Sequence, residues 1–257
     1  MLFDTHCHLN DEQFKDDVES VLERAHAEGV TNIVVPGVDV TSSERAILLA
    51  EKYEGVYAAV GIHPESLKDL PETELDQIRA LTRHPKVVAI GEIGLDYYWD
   101  VAPRSFQQEI FAAQIALAAD CGLPILIHNR DATEDTVRMV KGAPQGVHGV
   151  MHCFTGSIET ALECIRKGFY ISFGGPVTFK NAVGVQKTAA QVPDEWLVVE
   201  TDSPYLSPHP LRGKRNEPGR VRLVAEKLAE LREKEYLEIA ALSMANALRL
   251  FPKIGAK

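Results

Sequence analysis

Two histidines separated by one residue stand near the start of the chain, His6 and His8 in the segment LFDTHCHLND. In an extended strand, side chains two positions apart point to the same side, so both imidazoles can approach one ion while Cys7 faces away from it. Imidazole nitrogen is a common ligand of divalent transition metals. A lone His-x-His pair fits two hydrogen-bonded histidines equally well, so its interpretation depends on the rest of the chain.

Further residues of ligand type follow short apolar segments. They are Glu92 in VVAIGEIGLD, His128 in PILIHNR, His152 in GVMHCF and Asp202 in LVVETDSP. The carboxyl ends of parallel barrel strands meet on one face, where these side chains and the histidine pair would surround one cavity. Each residue alone also fits a salt-bridged strand end, a hydrogen-bonded core histidine or a turn cap. Their shared position at strand ends favours a metal centre.

Six ligands exceed what one tetrahedral ion needs, which predicts two ions that share a carboxylate. Glu92 is the predicted bridge. The two predicted ligand sets are His6, His8, Glu92 and Asp202 for one ion, and Glu92, His128 and His152 for the other. We expect two divalent cations as cofactors, with Mg²⁺ or Mn²⁺ in use; the imidazole-rich set also suits Zn²⁺ or Ni²⁺ as the ions found bound.

The elements that must position these residues follow an alternating strand and helix pattern along the chain. Eight strands are predicted, at Leu2 to His6, Thr31 to Val35, Val56 to Ile62, Val87 to Ile93, Pro124 to His128, Gly149 to Cys153, Phe169 to Phe173 and Leu197 to Asp202. Eight is the strand number of a (β/α)₈ TIM barrel, and 257 residues is a typical length for one. An open doubly wound sheet would normally place a glycine-rich phosphate turn after the first strand. The sequence predicts one barrel domain over residues 1–257, with the metal site at the carboxyl ends of its strands.

The composition is that of a water-soluble protein, with 45% hydrophobic and 25% charged residues. A net charge of −10 opposes binding to a polyanion, although bound divalent cations would reverse the sign locally. No apolar run approaches the roughly 18 residues of a membrane span, and the polar start lacks the pattern of a signal peptide. We expect a cytoplasmic protein that has no membrane association and no obligate protein partner.

Several segments together resemble the TatD family of metal-dependent deoxyribonucleases, within the amidohydrolase-like barrels. The matching segments are LFDTHCHLND, VGIHP, IGEIGLDYY, PILIHNRDA, MHCFTGS, SFGGPVTF, ETDSPYLSP and RGKRNEP, which span the whole chain. The resemblance implies a (β/α)₈ fold, two divalent metals and hydrolysis of phosphodiester bonds, with DNA ends as substrate.

Roles follow for residues around the predicted ligands. Asp202 is the expected general base, because a metal-bound carboxylate can also accept a hydrogen bond from water. Glu200, on the same strand face, is expected either to orient a ligand from behind or to pair with a basic side chain in the core. His63, Asp96 and Arg130 are predicted to contact substrate.

Aromatic residues and a basic segment complete the predicted substrate site. Tyr97, Tyr98 and Trp99 follow Asp96 and would either stack on a base or pack against a helix. Residues 209–222, here called the basic segment, contain His209, Arg212, Lys214, Arg215, Arg220 and Arg222. Loops after the last strands of a barrel often bind phosphate, although a charge run is also typical of a solvated face. Within the segment that resembles the family, Arg212, Arg215 and Asn216 are the predicted substrate contacts.

The leading hypothesis is a deoxyribonuclease that hydrolyses phosphodiester bonds of DNA from an end through a water activated by two metals. The residues alone support only hydrolysis of an anionic ester, and the family resemblance supplies DNA as the substrate. A small-molecule amidohydrolase or phosphoesterase is the alternative within enzymes. A barrel retained only for binding would usually have lost a ligand, and all six are present.

Overall fold

The computed structural model describes residues 1–99 and 101–255. Its eight strands are parallel and form one sheet in chain order, with every strand hydrogen-bonded to the next. They are β1 (Leu2–Asp4), β2 (Val30–Pro36), β3 (Val56–Val60), β4 (Val87–Asp96), β5 (Ile125–Arg130), β6 (Gly149–Met151), β7 (Phe169–Phe173) and β8 (Leu197–Val199). The prediction of a single-domain (β/α)₈ barrel is confirmed.

Helices cover the outside of the sheet and connect its strands. They are α1 (Val18–Ala27), α2 (Val40–Lys52), α3 (Glu74–Leu81), α4 (Arg104–Cys121), α5 (Thr133–Gly142), α6 (Ile158–Ile165), α7 (Val183–Gln191), α8 (Val221–Leu231), α9 (Tyr236–Leu250) and α10 (Pro252–Gly255). Because helices shield one face and the barrel interior shields the other, strands such as β4 and β7 are buried along their whole length.

One apolar layer takes residues from all eight strands, including Phe3 of β1 and Val198 of β8. Side chains from every strand can meet in this way only within the barrel. Phe251, which follows α9, packs on Phe3 with ring centroids 5.7 Å apart. The barrel interior is therefore filled by apolar side chains, which leaves the loops after the strands as the place for polar chemistry.

Backbone hydrogen bonds between the segments after β1 and β8 close the barrel. The amide of Thr5 donates to the carbonyl of Val199 (3.1 Å). The amide of Asp202 donates to the carbonyl of His6 (2.9 Å), and the amide of His8 donates to the carbonyl of Ser203 (2.7 Å). The contacts that close the ring therefore bring the histidine pair beside Asp202, about 195 positions away in the sequence.

Strand ends differ from the prediction at three functional positions. β1, β6 and β8 end at Asp4, Met151 and Val199, so His6, His152 and Asp202 lie just beyond their strands rather than at the last strand residue. Cys153 and Asp202 have positive φ values of 44° and 56°, which are incompatible with a strand. Conversely, β4 and β5 extend further than predicted, through Asp96 and Arg130.

Candidate metal centre

A first group of donor atoms forms where the barrel closes. The Nε2 atoms of His6 and His8 lie 3.1 Å apart, and they lie 3.2 and 3.4 Å from Oε2 of Glu92. Oδ1 of Asp202 lies 3.7 and 3.5 Å from the same two nitrogens. We call His6, His8, Asp202 and Oε2 of Glu92 the first donor group.

A second group faces the other oxygen of the same carboxylate. Oε1 of Glu92 lies 2.9 Å from Nδ1 of His128 and 3.0 Å from Nε2 of His152. These two histidines and Oε1 form the second donor group. His63 also approaches this oxygen, at 3.4 Å, so the two oxygens of Glu92 face different sets of imidazoles, as the predicted bridging role requires. The groups adjoin, since the His6 and His152 rings stack with centroids 4.0 Å apart.

Glycine in β4 allows the close approach of β4 and β5 that places Glu92 beside His128. Gly94 has a φ of +147°, and a Cβ at this position would lie 2.0 Å from the carbonyl oxygen of His128. Any other residue would push the strands apart, because this contact is with rigid backbone.

The spacing of the first donor group fits a divalent cation. Ligand atoms at about 2.1 Å from a common ion lie roughly 3.0 to 3.4 Å from one another, in octahedral or tetrahedral arrangement. The two nitrogens lie 3.1 Å from each other and 3.2 to 3.7 Å from the two carboxylate oxygens. His6, His8 and Glu92 form one set whose ligand atoms all lie within 4.8 Å of one another. Neutral imidazole nitrogens and carboxylate oxygens are also the donors that Zn²⁺ and Mn²⁺ accept. The residues present therefore suit a metal ion.

Both carboxylates of the first donor group remain ionised. Burial alone would raise the pKa of Glu92, but the surrounding rings of His152, His63 and His6 outweigh it and hold this pKa well below its ordinary value. Burial alone would also raise the pKa of Asp202. The neighbouring His8 and His152 have the larger combined effect, so this pKa lies below its ordinary value. Two anionic carboxylates in a buried site favour the binding of cations.

Carboxylates behind the second donor group fix the rings of its histidines. Oε1 of Glu200 lies 3.1 Å from Nδ1 of His152 and accepts the amide of Cys153 at 2.7 Å. Oδ2 of Asp96 lies 2.9 Å from Nε2 of His128. A carboxylate on one ring nitrogen directs the lone pair of the other toward an ion. For Glu200 this geometry fits the predicted orienting role. The same contact also pairs Glu200 with the basic side chain of His152, so both predicted roles stay open.

His63 is placed as a hydrogen-bond donor. Its Nδ1 accepts the amide of Glu65 at 3.1 Å, and burial together with the nearby His128 lowers its pKa to about 4. The neutral ring therefore carries its proton on Nε2, which lies 3.4 Å from Oε1 of Glu92. A protonated nitrogen cannot coordinate a metal, so His63 fits a contact to substrate better than a ligand role.

The donor groups open into a cavity of about 930 Å³. This volume lies within the range of sites that bind small ligands. The side chains of His8, His63, Glu92, Trp99, His128, Arg130, His152, Asp202 and Tyr205 are among those that line it. Arg130, at the end of β5, is thus placed as predicted for a residue that contacts substrate, and Arg45 lines the same cavity.

The basic segment does not reach this cavity in the described structure. Arg215 donates to both carboxylate oxygens of Asp17, at 2.9 and 2.6 Å, and to Glu217 at 3.1 Å. Asn216 is fully buried, and its amide donates to the carbonyls of Thr201 and Tyr205. The predicted substrate contacts of Arg215 and Asn216 do not fit this placement, because both side chains hold the segment itself in place.

Two further predicted contacts have other surroundings. The guanidinium of Arg212 lies 4.2 Å from the ring centroid of Phe179, outside the cavity lining. Asp96 is 1% exposed, and its carboxylate is engaged by His128 and by backbone amides. The predicted contact of Asp96 with substrate does not fit this placement. The carboxylate of Asp96 instead positions the ring of His128.

Sequence reasoning missed two residues near the donor groups. Asp4 is buried, accepts hydrogen bonds from the amide and hydroxyl of Thr201, and so links the end of β1 to the segment after β8. A carboxylate two positions before His6 was the available signal. Tyr205 lines the cavity and packs edge-on against His8, with ring centroids 6.0 Å apart. Its place after the eighth predicted strand, in DSPYLSP, was the corresponding signal.

Comparison with known proteins gives consistent relationships over the full chain. The model of the family described as TatD related DNase matches residues 3–252. The chain is 54% identical over 253 residues to the uncharacterized metal-dependent hydrolase YabD of Bacillus subtilis, covering 98% of this chain and 99% of that protein. It is 34% identical over 263 residues to the 3'-5' ssDNA/RNA exonuclease TatD of Musicola paradisiaca, covering 100% and 99%.

Solved structures agree with these relationships. The crystal structure of YjjV, a TatD homologue from Escherichia coli K12, superposes with a TM-score of 0.92 at 35% identity and covers 98% of both chains. None of the helices in the described part of the chain has the length and apolar content needed to cross a bilayer. The chain belongs to the TatD-related DNase family of metal-dependent hydrolases.

Proposed function

We propose that this protein is a nuclease that hydrolyses phosphodiester bonds at the ends of DNA with the help of two divalent cations. The observation that carries the proposal is the geometry of Glu92. Its Oε2 faces His6 and His8, and its Oε1 faces His63, His128 and His152, at 2.9 to 3.4 Å. The name of the Musicola paradisiaca relative supports a nucleic-acid end as the substrate.

The first donor group would hold one ion and the second donor group the other. When bound, such ions lower the pKa of a water molecule and offset the charge on phosphoryl and leaving-group oxygens. Imidazole with carboxylate suits Mn²⁺ or Zn²⁺, and Mg²⁺ is the candidate with the greater preference for oxygen.

Asp202 is the proposed general base. Its carboxylate lines the cavity, and its lowered pKa keeps it ionised and able to accept a proton from an attacking water at neutral pH. His63 would donate its Nε2 proton in a hydrogen bond to a non-bridging phosphate oxygen, since Glu65 occupies its other nitrogen. Arg130, at the cavity wall, would add positive charge. Cytoplasmic location and the lack of an obligate protein partner stay predictions.

The test is to remove metal with a chelator, return Mg²⁺, Mn²⁺ or Zn²⁺ separately, and follow nucleotide release from end-labelled single- and double-stranded DNA. Asp202→Asn should lower the rate about 10²- to 10⁴-fold, as expected for loss of a general base. Glu12→Gln is the matched control, because Glu12 lines the same cavity but lies outside both donor groups.

Nucleotide release that persists in the metal-free protein or in Asp202→Asn would contradict the proposal. The small-molecule hydrolase alternative gives a different pattern. It predicts rapid turnover of a small neutral amide or phosphate ester and no release of nucleotides under any of the three metals.

A further inference from the structure

Two exposed aromatic side chains directly follow β4, and one of them, Trp99, lines the cavity. Tyr98 and Trp99 are 54% and 53% exposed, and their rings meet edge to face with centroids 5.0 Å apart. Their neighbour Tyr97 instead donates its hydroxyl to Asp135 and packs against Arg104. Of the three consecutive aromatics, Tyr97 therefore serves the fold, while Tyr98 and Trp99 present their rings to solvent.

The guanidinium of Arg130 lies over both rings, 3.9 Å from the centroid of Tyr98 and 5.4 Å from that of Trp99. Arg130 comes from the end of β5, so a second strand contributes to the cluster. We call Tyr98, Trp99 and Arg130 the rim platform. Flat aromatic and guanidinium surfaces of this kind stack on the faces of nucleobases.

One buried carboxylate fixes the rim platform relative to the metal centre. Oδ1 of Asp96 accepts the amides of Tyr98 at 2.9 Å and Trp99 at 3.1 Å, while Oδ2 contacts His128 of the second donor group at 2.9 Å. Gln107 of α4 holds the same residue by bonding both its amide and its carbonyl. The aromatic rings are therefore anchored at a fixed place beside the second donor group.

The negative net charge of the chain explains why a substrate strand would be held by stacking on its bases. The chain has a net charge of −10, and Arg215 of the basic segment is occupied by acidic partners. A protein without a basic groove cannot hold a strand mainly through its phosphates. Stacking on bases contributes affinity without long rows of cations, and it tolerates any sequence because every base has a π face.

We infer that the rim platform stacks on the base of the nucleotide whose phosphate lies at the donor groups. Trp99 and Arg130 line the same cavity as Glu92 and Asp202, which makes the platform and the metal centre parts of one continuous surface. This inference rests on the proposed nuclease function, since it names how that site holds its substrate. It makes Tyr98 and Trp99 binding residues that are indifferent to base identity.

A binding measurement tests the platform without requiring turnover. Trp99 and Trp196 are the two tryptophans of the chain, and Trp196 packs on Tyr170 at the start of β8. In a Trp196→Phe variant, fluorescence therefore reports on Trp99 alone. Titration of this variant in the presence of Mg²⁺ or Zn²⁺ with a short oligothymidylate whose phosphorothioate linkages resist hydrolysis should quench this fluorescence, and a matching oligomer with abasic residues at both ends should quench it less. Equal quenching by the two oligomers, or none by either, would overturn the inference.

Steady-state kinetics of variants provide a second test of the rim platform. Trp99→Ala and Tyr98→Ala should each raise KM for a single-stranded oligonucleotide about five- to 100-fold and leave kcat within about twofold. Neither variant should change KM for the abasic-end oligomer. Tyr236→Ala is the matched control, because Tyr236 also lies under an arginine, Arg222, but outside the cavity lining.

The two hypotheses fail in different ways. If the wild-type protein releases nucleotides and Trp99→Ala has an unchanged KM, the stacking inference is wrong and the nuclease function stands. If the wild-type protein hydrolyses only small esters or amides, the nuclease function is wrong, and the fluorescence titration alone decides whether the platform binds a base.

Discussion

The metal centre and the basic segment are both rich in charged residues, yet they satisfy those charges in opposite ways. At the metal centre, imidazoles and carboxylates converge from the ends of different strands, and five histidine rings lie within 3.4 Å of the Glu92 carboxylate. In the basic segment, Arg215 binds Asp17 and Glu217, and Arg222 binds Glu28 and Glu226. The first arrangement gathers ligand atoms around shared points, whereas the second pairs Arg215 and Arg222 with nearby carboxylates.

The difference teaches that charge alone does not identify a substrate site. A cation that already pairs with carboxylates must lose those partners before it can bind a phosphate, which reduces what it contributes. Donor atoms held together in a buried cavity instead gain stability when a cation arrives. The comparison therefore predicts large functional effects for substitutions at the metal centre and effects on stability for those in the basic segment.

The largest expected effect follows from removing the bridge. Glu92→Gln should lower bound metal and reduce phosphodiester hydrolysis roughly 10³-fold, because several kcal/mol of transition-state stabilisation depend on the ions that Glu92 would share. Metal content is measured by elemental analysis of the dialysed protein, and the rate is measured with end-labelled DNA. Thermal unfolding of the metal-free variant checks that the barrel still folds. Full metal content together with wild-type activity would exclude the bridging role.

A smaller effect is expected behind the second donor group. Glu200→Gln should weaken metal affinity about tenfold, because a neutral amide polarises the His152 ring less than a carboxylate does. Isothermal titration with Mn²⁺ measures this change. Glu195→Gln is the control, since Glu195 is exposed and lies five residues earlier. Identical affinities in the two variants would show that Glu200 serves the fold alone.

The smallest functional effect is expected in the basic segment. Arg215→Ala should lower the melting temperature by about 2–4 °C, the shift for roughly 1 kcal/mol from a partly exposed ion-pair network in a chain of this size. KM and kcat for DNA should stay within about twofold of wild type. A tenfold rise in KM without a change in melting temperature would restore the basic segment as a substrate site. Arg212→Ala gives the comparison, because that guanidinium stacks on Phe179.

The stabilising effect of Arg215 should also depend on pH. The hydrogen bonds from Arg215 lower the pKa of Asp17 below its ordinary 3.8. Burial alone would raise the pKa of Glu217, but Arg24 and Arg215 have the larger effect and lower this pKa below its ordinary 4.5. A lowered pKa in the folded state stabilises the fold above the ordinary value, and this contribution is lost as the pH falls through the lowered value. Urea unfolding should show a larger difference between wild type and Arg215→Ala at pH 7 than at pH 3.

The amino-acid sequence by itself determined the barrel and the ligand-type residues. Alternating apolar strands and amphipathic helices specify a (β/α)₈ fold because parallel strands need helical crossovers, and the fold then brings all carboxyl strand ends together. The spacing of His6 and His8 and the positions of Glu92 and His128 follow from these local patterns. Even so, His6, His152 and Asp202 lie beyond their strands, because turns with positive φ at Cys153 and Asp202 are not visible in an apolar run.

Only the tertiary structure decided which partner each polar side chain meets. Asp96 contacts His128, 32 positions away, and Arg215 contacts Asp17, 198 positions away. Neither pairing leaves a periodic signal, because side-chain partners across different βα units depend on strand register and barrel closure rather than on local spacing. For the same reason the sequence indicated a substrate role for Arg215 and Asn216. The folded chain instead uses both to hold the segment after β8, and it leaves Trp99, Arg130 and His63 lining the cavity.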